Sequence, residues 1–360
     1  MLTFGALKAT PVLVPMARPL GTSAATIASA PLLLVEIVTR EGVSGRGYAF
    51  CYLSAVAMSL VPVAADLSAA LRDVPLAPLD ITARVTRHFR LPGLAGPLAM
   101  LASALDTAVW DACAIAAGQS LCEYLGSESK PIRAYNSNGL GIMPPEGAAD
   151  EAEALLDRGF RAIKLRLGRS DLADDIATVR AVRRRLPDHI ALMVDFNQAL
   201  SWAEALRRCA ALDDEGVYWI EEPIRHDDYR HAALVAQATT TPIQIGENFT
   251  GLTPMAAALE AAASDYVMVD LDRIGGVSGW QRAAGLAAAY NRELSSHLFP
   301  EVSAHLLAAT PTSHWLEYVD WAEPILEEPL HIVDGMAIPS AGPGNGLRWN
   351  TDAVARFQLA

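Results

Sequence analysis

ALMVD (191–195), VYWIE (217–221), IQIGE (243–247) and YVMVD (266–270) are four short apolar runs, each closing on an acid. Asp195 to Glu221 is 26 residues and Glu221 to Glu247 is 26 again; Asp270 follows 23 later, His297 a further 27, and Glu317 another 20. Four more segments close on a polar residue, PIRAYNS (131–137), RAIKLR (161–166), ELSSH (293–297) and HWLE (314–317), making eight. The stretches between them carry helical spacing, clearest at Leu172, Ile176, Val179, Val182 and Leu186. Strands alternating with helices predict parallel βαβ units. Eight such units predict a closed barrel. The other arrangement, an open doubly wound sheet, would carry a Gly-rich phosphate turn, and none is found.

The chain before this rhythm is different. Residues 2–14, 31–40 and 45–52 are rich in β-formers, and Glu41–Ser44 makes a Gly-containing turn, which predicts a small antiparallel sheet. Residues 15–30, PMARPLGTSAATIASA, have no periodicity and read as a long loop, while 54–72 and 97–118 read as helices. After Leu326 the βα rhythm is lost. The expected organisation is an α+β domain over 1–127, an α/β barrel over 128–325, and a segment 326–360 that returns to the first domain.

Of the 360 residues, 52% are hydrophobic and 19% charged, with a formal net charge of −13. The acid excess argues against nucleic acid and anionic membrane surfaces as partners. The most apolar helical region, 93–118, is interrupted by Asp106 and Asp111 and reads as a buried helix rather than a membrane span. The N-terminus lacks a basic, then apolar, leader pattern. Cys51, Cys113, Cys122 and Cys209 fit neither a zinc motif nor a disulfide framework, so reduced thiols in a cytoplasmic protein are expected.

In a βα-barrel the C-terminal strand ends form the active-site face. One Asp at a strand end is as readily a helix N-cap. Three acids at matching positions, Asp195, Glu221 and Glu247, are harder to explain so, because grouped carboxylates repel. A divalent cation removes the repulsion, and all-oxygen ligands favour Mg²⁺, Mn²⁺ or Ca²⁺ over zinc. Asp270 and His297 end the next two strands. A carboxylate beside an imidazole fixes its tautomer and makes a general base. Lys164 and Arg166 alternate with Ile163, Leu165 and Leu167, so both point to one side, into the barrel mouth. Two cations opposite a metal suit a carboxylate substrate that gains charge on enolisation.

GFRAIKLRLG (159–168), MVDFNQ (193–198), WIEEP (219–223), IGENF (245–249), DRIGGVSGW (272–280) and SSHLFPEVSAHLLAATPTSHWLE (295–317) together resemble the mandelate racemase/muconate lactonising branch of the enolase superfamily, and the last run leans toward its racemases. The resemblance implies a capping domain on a (β/α)₇β barrel. It implies Mg²⁺ held by Asp195, Glu221 and Glu247, and His297 backed by Asp270 as the base on the (R)-face of a 2-hydroxy acid. Glu317 would be the electrophile at the substrate carboxylate and Lys164 its neutralising cation. Ser137 would donate to that carboxylate, and Asn197 would contact the hydroxyl. It places Phe50 and Tyr52 on the pocket wall, Leu20 and Ile27 on a flap formed by 15–30, and Leu298 and Val319 on the barrel side. A homo-oligomer is also implied.

One position departs from the family. The racemases carry Lys-x-Lys where this chain has Lys164-Leu165-Arg166, and the second lysine is the base for the (S)-enantiomer. Arginine is protonated at neutral pH, which makes it a poor base. The expected reaction is racemisation of an aryl or alkyl 2-hydroxy acid. The alternative is a one-base acid-sugar dehydratase using His297. A catalytically silent anion-binding protein is the remote reading.

Overall fold

The computed structural model describes residues 2–22 and 25–359. The N-terminal unit is a three-stranded antiparallel sheet of β1 (Phe4–Gly21), β2 (Thr26–Thr39) and β3 (Ser44–Phe50), backed by helices α1 (Ser54–Leu71), α2 (Pro78–His88) and α3 (Pro97–Ala117). Helix α3 begins on Pro97 and ends at Gly118, which is in the left-handed region with φ 68°. It lies directly against β3, where a Cβ on Gly45 would collide with the Ala108 carbonyl.

The two acids that interrupt the apolar run of α3 fasten this unit to the rest of the chain. Asp106 accepts from the Ser278 N–H at 2.9 Å and from the Thr82 hydroxyl at 2.6 Å. Asp111 accepts from the N–H groups of Arg46 at 2.8 Å and Asn345 at 2.6 Å. Both are buried, and burial pushes them up to about 6 and about 7 respectively.

Residues 15–30, expected as an irregular loop, are mostly strand. β1 continues to Gly21, β2 starts at Thr26, and Leu20 pairs with Ile27. The reading failed because β1 is an edge strand, where Pro15 and Pro19 are tolerated, and because the register shifts between Pro15 and Leu20, which breaks the alternation. Ser23 and Ala24, within that stretch, lie outside the described residues. The hairpin end docks on the barrel through backbone: the Ile142 N–H donates to the Gly21 carbonyl at 3.2 Å, and a Cβ on Gly141 would meet that same oxygen at 2.6 Å.

The second unit is an eight-stranded parallel barrel: β4 (Ile132–Asn136), β5 (Ala162–Arg166), β6 (Ala191–Asp195), β7 (Ile220–Glu221), β8 (Ile243–Ile245), β9 (Tyr266–Asp270), β10 (Leu294–His297) and β11 (Leu316–Tyr318). β11 pairs in parallel with β4, and the bond from Ser296 N–H to the Trp315 carbonyl at 3.0 Å joins it to β10 and closes the ring. Seven strands are followed by a helix. Directly after β11 the chain makes a 3₁₀ turn, Glu323–Ile325, in place of an eighth barrel helix, and its last helix, Thr351–Phe357, comes only near the C-terminal end of the described residues. A hairpin, β12 (His331–Val333) and β13 (Met336–Ile338), then lies antiparallel on β4. The chain ends on the first sheet, where the Leu359 N–H donates to the Pro11 carbonyl at 2.9 Å.

Candidate active site

β6 and β7 end on Asp195 and Glu221, and Glu247 stands two residues past β8. The register places Asp195 opposite Glu221. One carboxylate oxygen from each of the three lies within 4.8 Å of the others, with Asp195 and Glu221 buried. Neighbouring donors hold the first two in place. Asn197 bonds Asp195 through its backbone N–H at 2.7 Å and its side-chain amide at 3.0 Å; Trp219 Nε1 donates to Glu221 at 3.1 Å. Burial pushes Glu221 up to about 8, partly countered by Lys164. Three oxygen donors crowded together here fit a hard divalent ion, whose charge would offset their mutual repulsion and favour the ionised form of buried Glu221.

Lys164 is almost fully buried and lies among carboxylates: 2.7 Å from Glu221, 2.9 Å from Glu317 and 3.3 Å from Asp195. Burial opposes its charge, but these acids more than offset that and hold the ammonium well above its ordinary value. Glu317, on β11, accepts from the Leu298 N–H at 2.9 Å. Burial would raise it, yet Lys164, His297, the Leu298 N–H and the Ser137 hydroxyl hold it below the usual carboxylate range.

His297 Nδ1 faces Asp270 Oδ2 at 2.6 Å. Asp270 also caps the following helix, its Oδ1 accepting from the Arg273 N–H at 3.0 Å. With Nδ1 turned to Asp270, Nε2 faces Glu247 at 3.2 Å and Glu317 at 3.9 Å. Burial disfavours the imidazolium, but Glu247, Glu317 and Asp270 outweigh it and raise the ring to about 9.

Arg166 is equally buried but keeps different company. Its Nη1 donates to the carbonyls of Ser137 and Gly139, each at 2.8 Å, and Nη2 to the Ser137 hydroxyl at 2.9 Å. Among the described residues no carboxylate pairs with it, and its buried Nε has no partner. Ser137, expected at the substrate carboxylate, is therefore engaged on both sides, accepting from Arg166 and donating to Glu317. The amide oxygen of Asn197 is buried and unpartnered.

The expected wall residues divide into two groups. Phe50, Leu298 and Val319 line one small apolar recess together with Trp321, whose ring centroid is 5.2 Å from that of Phe50. Leu20 and Ile27 stand opposite each other on the hairpin, half-buried. Tyr52 packs edge-on against Phe50 at 4.4 Å, and its hydroxyl accepts from Arg273 Nη2 at 2.6 Å. Sequence reasoning singled out neither Trp321, Asp272 nor Arg273. A basic residue three positions after Asp270 was the available signal.

Residues 147–353 match the family model described as enolase C-terminal domain-like, and residues 6–126 match the mandelate racemase/muconate lactonizing enzyme N-terminal domain. The chain belongs to the mandelate racemase/muconate lactonizing enzyme family of the enolase superfamily. Within that family it is similar to a solved enolase from alpha proteobacterium bal199 with bound Mg, at 46% identity over all of both chains and a TM-score of 0.97. It is similar to a Bradyrhizobium enolase complexed with magnesium and mandelic acid, at 41% identity over all of this chain and 99% of that one, TM-score 0.95. It is also 31% identical to the L-talarate/galactarate dehydratase of Salmonella typhimurium, over 91% of this chain and 83% of that protein. The relatives thus include a dehydratase and an enolase that holds mandelic acid.

Proposed function

We propose that this chain removes the α-proton of a 2-hydroxy carboxylate bearing an apolar substituent, using His297 as its one base. The observation that carries this reading is the placement of His297, bonded to Asp270 through Nδ1 and set 3.2 Å from Glu247 through Nε2. Asp270 accepts from Nδ1–H, which makes Nε2 the base atom whenever the ring is neutral, and it stabilises the imidazolium once the proton arrives. Lys164 receives the substrate carboxylate. An anion entering between Lys164 and Glu317 loosens their pairing and raises Glu317, so that Glu317 gains the proton it needs to donate to an enolate oxygen. Asp195, Glu221 and Glu247 hold Mg²⁺, with Mn²⁺ as a substitute. When bound, the ion supplies positive charge where the enolate becomes most negative.

The one-base reading rests on Arg166. Both of its terminal nitrogens already donate to oxygens, so it orders the 137–139 turn rather than exchanging protons. With one base, a 2,3-dihydroxy acid reacts by elimination. The α-proton passes to His297, the C3–O bond breaks, and His297 returns the proton to the departing hydroxyl as water; the enol then becomes a 2-keto acid. Likeness to the dehydratase supports this outcome. Racemisation is the second reading. The apolar wall of Phe50, Leu298, Val319 and Trp321 favours it, as does the mandelic acid held by the Bradyrhizobium relative.

The test is incubation with Mg²⁺ and each enantiomer of mandelate in D₂O, with a 2,3-dihydroxy acid in parallel. Exchange of the (R)-form without inversion is the expected result. Inversion of either enantiomer would establish Arg166 as a working base and the chain as a racemase. No exchange with any of these acids would overturn both readings.

A further inference from the structure

The aromatic wall belongs to one domain and the metal ligands to the other, and one side chain spans them. Arg273, in the turn after β9, donates from Nη2 to the Tyr52 hydroxyl at 2.6 Å and from Nη1 to the main-chain carbonyl of Glu247 at 2.8 Å. The same Nη1 is 3.6 Å from the Glu247 carboxylate, and the guanidinium carbon lies 5.4 Å from the centre of the Tyr52 ring. A planar guanidinium presents its donors in a fixed fork, so these two bonds set a distance. Neighbouring groups restrict the wall further. The Phe50 N–H donates to Asp272 at 3.0 Å, the Asp272 carbonyl accepts from Ser103 at 2.6 Å, and Tyr52 is held at φ 59°, a left-handed conformation disfavoured for tyrosine.

We propose that Arg273 is a positioning residue that fixes how far the Phe50–Tyr52 wall stands from Glu247, and so decides how large a substituent the site accepts. This rests on the function proposed above. Behind Arg273 lies a largely apolar cavity of about 140 Å³, lined by Ile81, Val85, Leu94, Ala102 and Ile274. The cavity adjoins Arg273 and not Phe50 or Tyr52, so the open space lies beside the guanidinium that holds the wall. A simple bolt between the domains is the competing account. A bolt predicts that weakening Arg273 lowers affinity for every ligand alike, whereas a spacer predicts that the order of preference changes.

The experiment measures affinity, with Mg²⁺ present, for lactate, 2-hydroxyisovalerate, mandelate and 3-phenyllactate in the wild type, Tyr52→Phe, Arg273→Met and Arg273→Lys, by calorimetry and alongside melting temperature. Tyr52→Phe and Arg273→Met should raise the preference for the largest acid over the smallest by about tenfold or more, the scale on which pocket fit discriminates. Arg273→Lys, which keeps one donor and the charge, should stay nearer the wild-type order. Tyr52→Phe deletes a single oxygen and keeps the test alive if Arg273→Met does not fold. Equal loss across the series, with the order unchanged, would overturn the inference while leaving the proposed function standing. If the wild type binds no member of the series, both fall together.

Discussion

The two flanks of the site, at His297 and at Arg166, hold their cationic side chains with different partners. His297 is surrounded by Asp270, Glu247 and Glu317, all carboxylates, within 3.9 Å. Arg166 is bound by two carbonyls and a hydroxyl, all neutral. Acid partners respond to a proton arriving or leaving, because their attraction depends on the charge; carbonyl partners chiefly fix geometry. Two nitrogen bases on opposite faces would make a symmetric site. On the function proposed above, this site is asymmetric, with a proton carrier on one flank and a strut on the other.

Removing the carrier tests the comparison most severely. His297→Asn should lower α-proton exchange by about 10⁴-fold, near the upper end of what one acid–base group supplies. Exchange close to the wild-type rate in D₂O would mean that the proton leaves from the other flank. Stripping the divalent ion should also abolish exchange, and restoring it at 100 times its dissociation constant should stabilise the fold by about 2.7 kcal/mol, read as a rise in melting temperature. Asp270→Asn leaves the imidazole but not its orienting charge, and a loss of about 10²-fold is expected in the same exchange assay.

On the opposite flank the effect should be smaller and of a different kind. Arg166→Met should leave (R)-exchange within about tenfold of wild type, since it disturbs only the 137–139 turn and Ser137. Arg166→Lys should introduce exchange of the (S)-enantiomer. If Arg166→Met abolishes (R)-exchange, the strut interpretation is wrong.

The smallest expected effect lies outside both flanks, where Tyr48 of β3 donates to Glu301 at 2.8 Å. Burial pushes Glu301 from 4.5 up to about 7, so its contribution to stability is full below pH 4.5 and is lost as pH rises through about 7. Glu301→Gln should flatten that part of the pH–stability curve, measured by denaturant unfolding at a series of pH values; an unchanged slope would show that Glu301 does not set it.

The barrel was legible because its strands repeat. Near-equal spacing brings Asp195, Glu221 and Glu247 to one end of the barrel, although Glu247 stands two residues past its strand rather than at its end, and Asp270 and His297 follow the same arithmetic. Lys164 and Arg166 were placed on one side by strand alternation alone. What alternation could not supply was the partner of each, and the partner separates the carrier from the strut. The hairpin was misread because an edge strand with two prolines and a register shift has the composition of a loop. Arg273 was missed because its importance comes from Tyr52, 221 residues earlier in the chain, and no local pattern records so distant a contact.

The contact of Gly21 with Gly141 bears on how such a site diversifies. The hairpin meets the barrel there through main-chain atoms, and its own two strands pair through main-chain atoms as well. Leu20 and Ile27, whose side chains also pack on the core, can therefore be exchanged for other apolar residues while this backbone seam is kept. Selection could alter the chemical character of the cover over many generations while the joint beneath it is inherited unchanged.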